Sequence, residues 1–173
     1  MGAAQARKTK PGAGFATYGS VPPQQVTQAL GHRGERWTYA AERQRLAKLG
    51  LNPDELEKEG RLAWVSEKNP TANYDIKSIW DETRPDPVYI EVKSTSSDSP
   101  HIRMSLAEFR LAMSGGEHYW LYWVAGVDKS EPELPVCYRN FAQLVEDEVV
   151  DLDVETLSIT LPKARRVSDD KDT

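Results

Sequence analysis

The sequence predicts a mixed α/β domain with a core order of helix, three strands, helix and strand, in which a central mixed sheet is flanked by helices. Three observations predict it. A long helical stretch comes first, two alternating runs joined by a proline-rich turn follow, and an aromatic run comes after a capped helix. The 173 residues, 39% hydrophobic and 28% charged, have the composition of one globular domain with a sizeable core.

The first predicted element is a helix over residues 23–49, followed by Gly50, a residue type typical of helix C-termini. Gly31 and Gly34 weaken its N-terminal part, because glycine costs roughly 1 kcal/mol relative to alanine inside a helix. Their presence predicts either that another part of the molecule passes close to the backbone there or that the helix begins later.

An antiparallel hairpin is predicted in the middle of the chain, after a short acidic helix from residues 52–56 and a short strand at 62–66. Residues 74–80 and 88–94 are two alternating runs separated by the turn segment 84–87, which is typical of a hairpin. The apolar face of the second strand is expected to meet the core. Alternation places Val88, Ile90 and Val92 on that face and Tyr89, Glu91 and Lys93 on the other.

A second main helix is predicted after the hairpin, because Ser105 and Glu108 have the spacing of a capping box. We expect this helix to stop at residues 115–116, which are both glycine. Residues 117–125 are rich in aromatics and apolar on both faces, which predicts a central strand covered on both sides. The remaining predicted elements are a strand near 136–138, a helix near 141–145 and a strand at 157–161.

The chain is predicted to divide into a flexible basic arm (residues 1–23), a folded domain (24–163) and a polar tail (164–173). No stretch approaches about eighteen apolar residues, and the N-terminus lacks the apolar segment of a secretory signal, so we expect a cytoplasmic protein without a membrane partner. The single cysteine, Cys137, excludes an internal disulfide and a cysteine-based zinc cluster.

The charge of the chain is unevenly distributed. A net charge of −5 argues against nucleic acid as a partner, because phosphate binding normally accompanies a basic excess. Residues 1–49, however, carry eight Lys/Arg side chains and two acidic ones, whereas the rest of the chain carries 14 basic and 25 acidic side chains. These lysine and arginine side chains either favour a nucleic-acid partner or only form the solvent-exposed face of the first helix.

One group of residues is the main candidate for chemistry: Asp75 in the first strand of the hairpin, with Glu91 and Lys93 in the second. Glu91 and Lys93 project from the same face about 7 Å apart, and the hairpin can bring Asp75 alongside Glu91. Two carboxylates facing one cavity suit a hard cation such as Mg²⁺. A lysine ammonium can orient an attacking hydroxide or neutralise charge on a phosphate, so the group suggests metal-assisted phosphodiester hydrolysis.

These residues resemble the signature of the PD-(D/E)xK nuclease superfamily, with Asp75 followed by Glu91-x-Lys93 downstream of a helix that carries Glu35. A longer string is similar to one branch, the domain of unknown function named after the plant protein NO VEIN, which is found in bacteria beside restriction and phage-defence genes. The resemblance runs from about Gly31 to Leu161. The similar segments are 34–35, 64–66, 73–78, 89–95, 105–108 and 119–124.

The resemblance implies a role for each of four residues and a cofactor. Asp75 and Glu91 would be metal ligands, and Lys93 would be the catalytic lysine. Glu35 would reach the site as an additional ligand or as a group that orients water. The cofactor would be Mg²⁺ or Mn²⁺, held in a restriction-endonuclease-like fold.

The resemblance further implies a DNA endonuclease, with RNA as an alternative substrate, in a bacterial anti-phage or restriction system. A domain this small has little surface for reading a long DNA sequence, so a partner protein would supply specificity. Pairing into a homodimer would allow both strands to be cut. The alternative from another class is a catalytically inactive nuclease-fold module that binds nucleic acid or a partner protein in a defence complex.

Three candidate positions also have structural interpretations. Glu35 could instead form an ion pair with an arginine of its own helix. Glu108 could serve only as a helix cap. The aromatic run 119–123 is typical of a core strand, whereas a base-stacking platform is the functional alternative.

Overall fold

The structure, a computed structural model of the chain, describes residues 24–130 and 133–153, with side chains from residue 27 onward. The arm predicted at 1–23, the tail predicted at 164–173 and the strand predicted at 157–161 lie outside the described residues. The helices of the described part are α1 (Gln24–Lys48), α2 (Pro53–Lys58), α3 (Val65–Lys68), α4 (Leu106–Gly115) and α5 (Phe141–Glu146). Its strands are β1 (Ala63–Trp64), β2 (Ile76–Ile79), β3 (Pro87–Ser94), β4 (Tyr119–Val124) and β5 (Val136–Arg139).

The strands form one mixed sheet in the order β1-β2-β3-β4-β5. Strands β1, β2 and β3 are successively antiparallel, as are β4 and β5, whereas β3 and β4 run parallel. The β3–β4 connection passes through α4, because parallel neighbours need a crossover. The predicted hairpin is confirmed as β2–β3, and the predicted mixed α/β class is confirmed as a mixed sheet flanked by helices.

Each face of the sheet has its own apolar cluster, as the strand patterns predict. Strand β3 points Val88, Ile90 and Val92 into the larger cluster, which also takes Leu46 from α1. The smaller cluster packs residues of α4 and α5 against the opposite face. Strand β4 contributes to both clusters, which confirms that it is covered on both sides. Its residues in the larger cluster are Trp120, Tyr122 and Val124, and those in the smaller are Tyr119 and Leu121.

Helix α1 approaches β3 most closely at Gly34. A Cβ atom at position 34 would overlap Oγ of Ser94, the last residue of β3, and would lie 2.9 Å from its Cβ. Among the described residues, no atom outside the adjoining backbone of α1 lies within 4 Å of the corresponding position at Gly31. The predicted close approach is therefore confirmed at Gly34 and not at Gly31, and Gly34 brings its neighbour Glu35 up to the end of β3.

Several predicted strand boundaries differ from the structure, and β2 is shorter at both ends than the strand predicted at 74–80. The prediction of a strand at 62–66 was wrong beyond Trp64, where β1 ends and the chain turns into α3. At this turn the N–H groups of Val65 and Ser66 both donate to the carbonyl of Asp75, at 2.7 and 3.1 Å. The strand predicted at 117–125 starts two residues later, because a 3-10 turn occupies Gly116–His118.

Two of the arginines on α1 stabilise the fold through internal ion pairs. Arg45 donates to both oxygens of buried Glu42, at 2.6 and 2.9 Å, and also to backbone carbonyls at the end of β2. Arg43 pairs with Asp54 and Glu57 of α2. The basic excess in this part of the sequence therefore overstates the positive charge that α1 offers to a ligand. Within the described ranges, no helix has both the length and the apolar character needed to cross a membrane.

Candidate active site

The carboxylates of Asp75 and Glu91 lie side by side on the hairpin. Ile76 pairs with Ile90 in the β2–β3 register, so the residue before Ile76 lies opposite Glu91. The Asp75 backbone N–H donates to the Ile90 carbonyl at 2.9 Å, and its carboxylate Oδ2 accepts from the Val92 N–H at 2.8 Å. The side chain of Asp75 is therefore fixed against β3, as the hairpin pattern predicts.

Lys93 joins these carboxylates from the same face of β3. Its ammonium Nζ lies 2.6 Å from Glu91 Oε1 and 2.9 Å from Glu108 Oε2. The site is mostly covered, since the side chain of Lys93 is 18% exposed and that of Glu91 5%. The structure thus brings Asp75, Glu91 and Lys93 together and adds Glu108 to them.

Glu108 has two roles, of which sequence reasoning had identified one. The predicted capping box of α4 is confirmed, because the Ser105 hydroxyl accepts from the Glu108 N–H and Glu108 Oε2 accepts from the Ser105 N–H at 2.8 Å. The same Oε2 atom accepts from Lys93. The sequence signal for the second role was the position of this glutamate, in the first turn of the helix after the Glu-x-Lys strand. Sequence reasoning missed that role because the capping box already accounted for Glu108.

Glu35 reaches the edge of the site from α1. Its Oε2 atom accepts from the Trp64 indole Nε1 at 2.9 Å and from the Ser66 hydroxyl. The backbone N–H of Ser66 also donates to the backbone carbonyl of Asp75. One serine therefore contacts both the Glu35 side chain and the Asp75 backbone. Among the described residues Glu35 forms no ion pair with an arginine of its helix, and its negative charge acts on Asp75.

The two central carboxyls bind protons more tightly than ordinary carboxyls. Burial, then the neighbouring charge of Glu35, raises the pKa of Asp75 to about 6. Burial, then the charge of Asp75, raises the pKa of Glu91 to about 8. Lys93 acts in the opposite direction on both groups but does not outweigh burial and the neighbouring carboxylates.

Lys93 and Glu108 form the fully charged pair of the site. Burial by itself would lower the pKa of Lys93, but the Glu91 and Glu108 carboxylates outweigh it and raise that pKa. Burial would likewise raise the pKa of Glu108, but the hydrogen bonds from Lys93 and from the Ser105 N–H lower it. Because Asp75, Glu91 and Glu108 share the single ammonium of Lys93, the cluster described here has more acidic groups than cations.

Tyr119 of β4 lies beside the same carboxylates. It is fully buried, and its hydroxyl has no hydrogen-bond partner within the part of the chain that the structure describes. Burial, followed by the charges of Glu91 and Glu108, raises the pKa of this phenol. The hydroxyl is thus a protonated donor next to the site. Sequence reasoning placed the run 119–123 in the core, which is confirmed, and gave no signal for this hydroxyl.

The donor set fits a hard cation through two carboxylates. In residues 24–130 and 133–153, no group of three or more His, Cys, Asp or Glu side chains is placed to hold one metal ion. Asp75 and Glu91 supply hard oxygen ligands in a cluster with more acidic groups than cations, which suits Mg²⁺ or Mn²⁺, because Mg²⁺ keeps several waters and is often bound by one or two carboxylates with substrate phosphate. Glu35, predicted as an additional ligand or a group that orients water, accepts hydrogen bonds from Trp64 and Ser66 through Oε2.

Comparison with known proteins gave one match. A family model described as "Protein NO VEIN, C-terminal" matches residues 34–137, which is more than half of the chain. The matched segment starts at the glycine that contacts β3 and ends in β5, so it contains every residue of the candidate site. No curated protein and no solved structure matched the chain.

Proposed function

The chain belongs to the family of the NO VEIN C-terminal domain, and from this premise we propose that it is a metal-dependent DNA endonuclease of the PD-(D/E)xK type. One observation supports the proposal most strongly. Asp75 and Glu91 lie side by side in a mostly covered cluster, in which they and Glu108 share the single ammonium of Lys93. A buried excess of negative charge is unfavourable for folding, and perturbed carboxyls of this kind cluster at functional sites.

In this proposal the residues of the chain have distinct roles around a scissile phosphate. Asp75 and Glu91 would hold Mg²⁺ or Mn²⁺, which when bound lowers the pKa of a water and polarises the phosphoryl group. Lys93 would neutralise charge developing on the phosphate. Glu108 would position Lys93. Glu35 would act as an additional ligand or orient a water through Oε1, because Trp64 and Ser66 bind its other oxygen, Oε2.

A cleavage assay tests this proposal. The full chain is incubated with single- and double-stranded DNA and with RNA, in Mg²⁺, Mn²⁺ or chelator. We expect metal-dependent cleavage that falls at least about a hundredfold in Asp75→Asn, Glu91→Gln and Lys93→Met, as for removal of one electrostatic catalytic group. Glu146→Gln, an exposed acid at the end of α5, is the matched control. Equal cleavage by the wild type and the three site variants would contradict the proposal.

A second candidate function is a nuclease-fold module that binds nucleic acid or a partner protein without catalysis. Two observations favour it: the described residues contain no three-ligand metal group, and Lys93 is held in two ion pairs with little exposure. Titration calorimetry with Mn²⁺ separates the two functions. Binding that is lost in Asp75→Asn supports the enzyme, whereas absence of binding at millimolar Mn²⁺ supports the module.

We place either function in a bacterial anti-phage or restriction system. This setting is supported by the resemblance of the site residues to the NO VEIN branch of the PD-(D/E)xK superfamily. A partner protein would then supply target recognition, and a homodimer would let two copies of the site act on opposite strands. Co-expression with the products of neighbouring genes, followed by cleavage of target and non-target DNA, tests this setting. Identical cleavage of both DNAs with and without each partner would contradict it.

A further inference from the structure

A cleft of about 570 Å³ opens on the hairpin that carries Asp75 and Glu91, although neither carboxylate belongs to its lining. Its lining includes Tyr89 of β3, Tyr74 just before β2, and Leu111 of α4, with Asn69 and Asn73 from the loop after α3. The volume lies within the range of ligand sites in proteins. Because it takes residues from both β3 and α4, the cleft lies on the side of the sheet that carries Lys93 and Glu108.

Two tyrosines of the cleft lie next to the proposed metal ligands along the chain. Tyr89 precedes Glu91 by two residues on one strand, so the two side chains leave the same face about 7 Å apart. Tyr74 is the residue immediately before Asp75. The distance of about 7 Å between the Tyr89 and Glu91 side chains is comparable to the distance between neighbouring phosphates along an extended nucleic-acid strand. A group in the cleft would thus belong to a nucleotide next to the phosphate held at the carboxylates.

The lining of the cleft favours a flat, neutral, aromatic ligand. The rings of Tyr74 and Tyr89 lie with centroids 4.8 Å apart and planes tilted by 55°, and both residues are only partly buried. Apolar residues such as Leu111 and neutral polar residues complete the lining, and no charged side chain belongs to it in the described part of the chain. A phosphate would find no cation here, whereas a base would find aromatic surface.

Amide groups at the rim add hydrogen-bonding capacity for base edges. Asn69 Oδ1 accepts from the N–H and hydroxyl of Thr71, which fixes the orientation of the amide and leaves its NH₂ group as a donor. Asn73, also in the lining, is exposed. Donors and acceptors on amides match the mixed edges of nucleobases.

We propose that this cleft receives one unpaired nucleobase, stacked on Tyr74 and Tyr89, from a nucleotide that flanks the scissile phosphate. This assignment rests on the proposed nuclease function and narrows its substrate to a single strand or to a duplex from which one base is extruded. A base inside an intact duplex is stacked and paired, so its faces are not available to the tyrosines. Stacking also makes the cleft tolerant of sequence, because every base has a π-face.

Fluorescence of 2-aminopurine tests the assignment without any cleavage. The full chain is titrated, in EDTA, into a short single-stranded DNA that carries one 2-aminopurine, and into the same strand with an abasic site at that position. We expect quenching of the 2-aminopurine and weaker binding of the abasic strand. We further expect Tyr89→Leu and Tyr74→Leu to weaken binding of the 2-aminopurine strand about tenfold, and Tyr89→Trp to retain it.

Two further variants guard against a folding defect. Ala72→Leu fills the cleft from a half-buried position just after a turn while both tyrosine rings remain, and we expect it to weaken binding as Tyr89→Leu does. Tyr138→Leu, on β5 at the opposite edge of the sheet, is the matched control and is expected to bind like the wild type. Thermal unfolding of every variant identifies any that does not fold.

The possible outcomes separate the cleft from the nuclease proposal. If the wild type binds both strands equally, if it binds neither strand, or if Tyr89→Leu and Ala72→Leu bind like the wild type, the cleft assignment is overturned. Metal-dependent cleavage by the wild type in those cases leaves the nuclease proposal intact. Tyrosine-dependent quenching by a protein that cleaves nothing supports the cleft and contradicts the nuclease.

Discussion

Glu91 is 4% exposed and shares its surroundings with Asp75, Glu108 and the ammonium of Lys93. Its carboxyl binds a proton more tightly in the folded protein than in the unfolded chain, because burial and Asp75 penalise the charged form. An amide at this position would satisfy the fold without that penalty. Glu91 is therefore the residue of the site at which stability and the proposed function conflict most directly.

The first prediction concerns the stability of Glu91→Gln. Because the pKa is raised from 4.5 to about 8, this group contributes stability that is fully present below about pH 4.5 and lost as pH rises through 8. Without divalent cations, we expect Glu91→Gln to unfold with a higher free energy than the wild type at pH 8.5, on the order of a few kcal/mol, and to resemble it near pH 4.5. Urea unfolding across this pH range measures it. A wild type more stable than Glu91→Gln at pH 8.5 would show that the pKa is not raised.

The second prediction separates the two roles of Glu108. Glu108→Ala removes both the helix cap and the partner of Lys93, whereas Ser105→Ala removes only the capping hydroxyl. We expect each variant to lose about 1 kcal/mol of unfolding free energy. Only Glu108→Ala should lower metal-dependent cleavage, through kcat rather than KM, because Lys93 is no longer held in position. Equal kcat values in Glu108→Ala and Ser105→Ala would assign Glu108 to capping alone.

Helix α1 brings Glu35 to the edge of the site from outside the sheet. It crosses the end of β3 at Gly34 and Ser94, with no space for a side chain between them, and this crossing places Glu35 near Asp75. Farther along, the buried Glu42 of α1 is held by Arg45, Ser78 and Tyr122. The helix is thus fixed to the sheet at two points, one close packed and one polar.

The third prediction compares the two glycines of α1. Gly31→Ala should raise the unfolding free energy by up to about 1 kcal/mol, because alanine is the better helix former and the position is open. Gly34→Ala should lower it by about 1 to 3 kcal/mol, since its Cβ overlaps Ser94. Adding Ser94→Gly to Gly34→Ala should restore part of the loss. Denaturant unfolding of the four proteins tests this, and a stabilising Gly34→Ala would contradict the packing of α1 on β3.

For the whole molecule, the excess of negative charge in the site couples cation binding to folding. A cation that binds Asp75 and Glu91 only in the folded state raises the free energy of unfolding. It also competes with the protons that both carboxyls hold. Because those pKa values lie near 6 and 8, the competition occurs around neutral pH rather than in acid.

The fourth prediction is therefore a pH-dependent stabilisation by metal. We expect Mn²⁺ or Mg²⁺ to raise the Tm of the wild type, and the concentration giving half the effect to fall as pH increases from 6 to 9. Asp75→Asn should show little stabilisation at any pH, whereas Glu146→Gln should behave like the wild type. Differential scanning fluorimetry measures these shifts. An equal Tm increase in Asp75→Asn would place the cation elsewhere on the molecule.

The sequence by itself determined the elements and the faces of the strands. Side-chain alternation in β3 and the capping residues at Ser105 and Glu108 depend on the local backbone, so neighbouring residues are enough to predict them. The alignment of Asp75 with Glu91 also follows locally, because a hairpin's turn fixes its register. Residues 131–132 and 154–173 lie outside what the structure describes, and the strand expected at 157–161 stays a prediction.

Only the tertiary structure decided which side chains meet across elements. The ion pair of Lys93 with Glu108, the capture of Glu35 by Trp64 and Ser66, and the cleft between β3 and α4 join residues far apart in the chain. Their contacts depend on how helices pack on the sheet, on the depth of burial and on the path of the chain after β1. These are properties of the folded molecule, because packing and desolvation depend on all the neighbours at once.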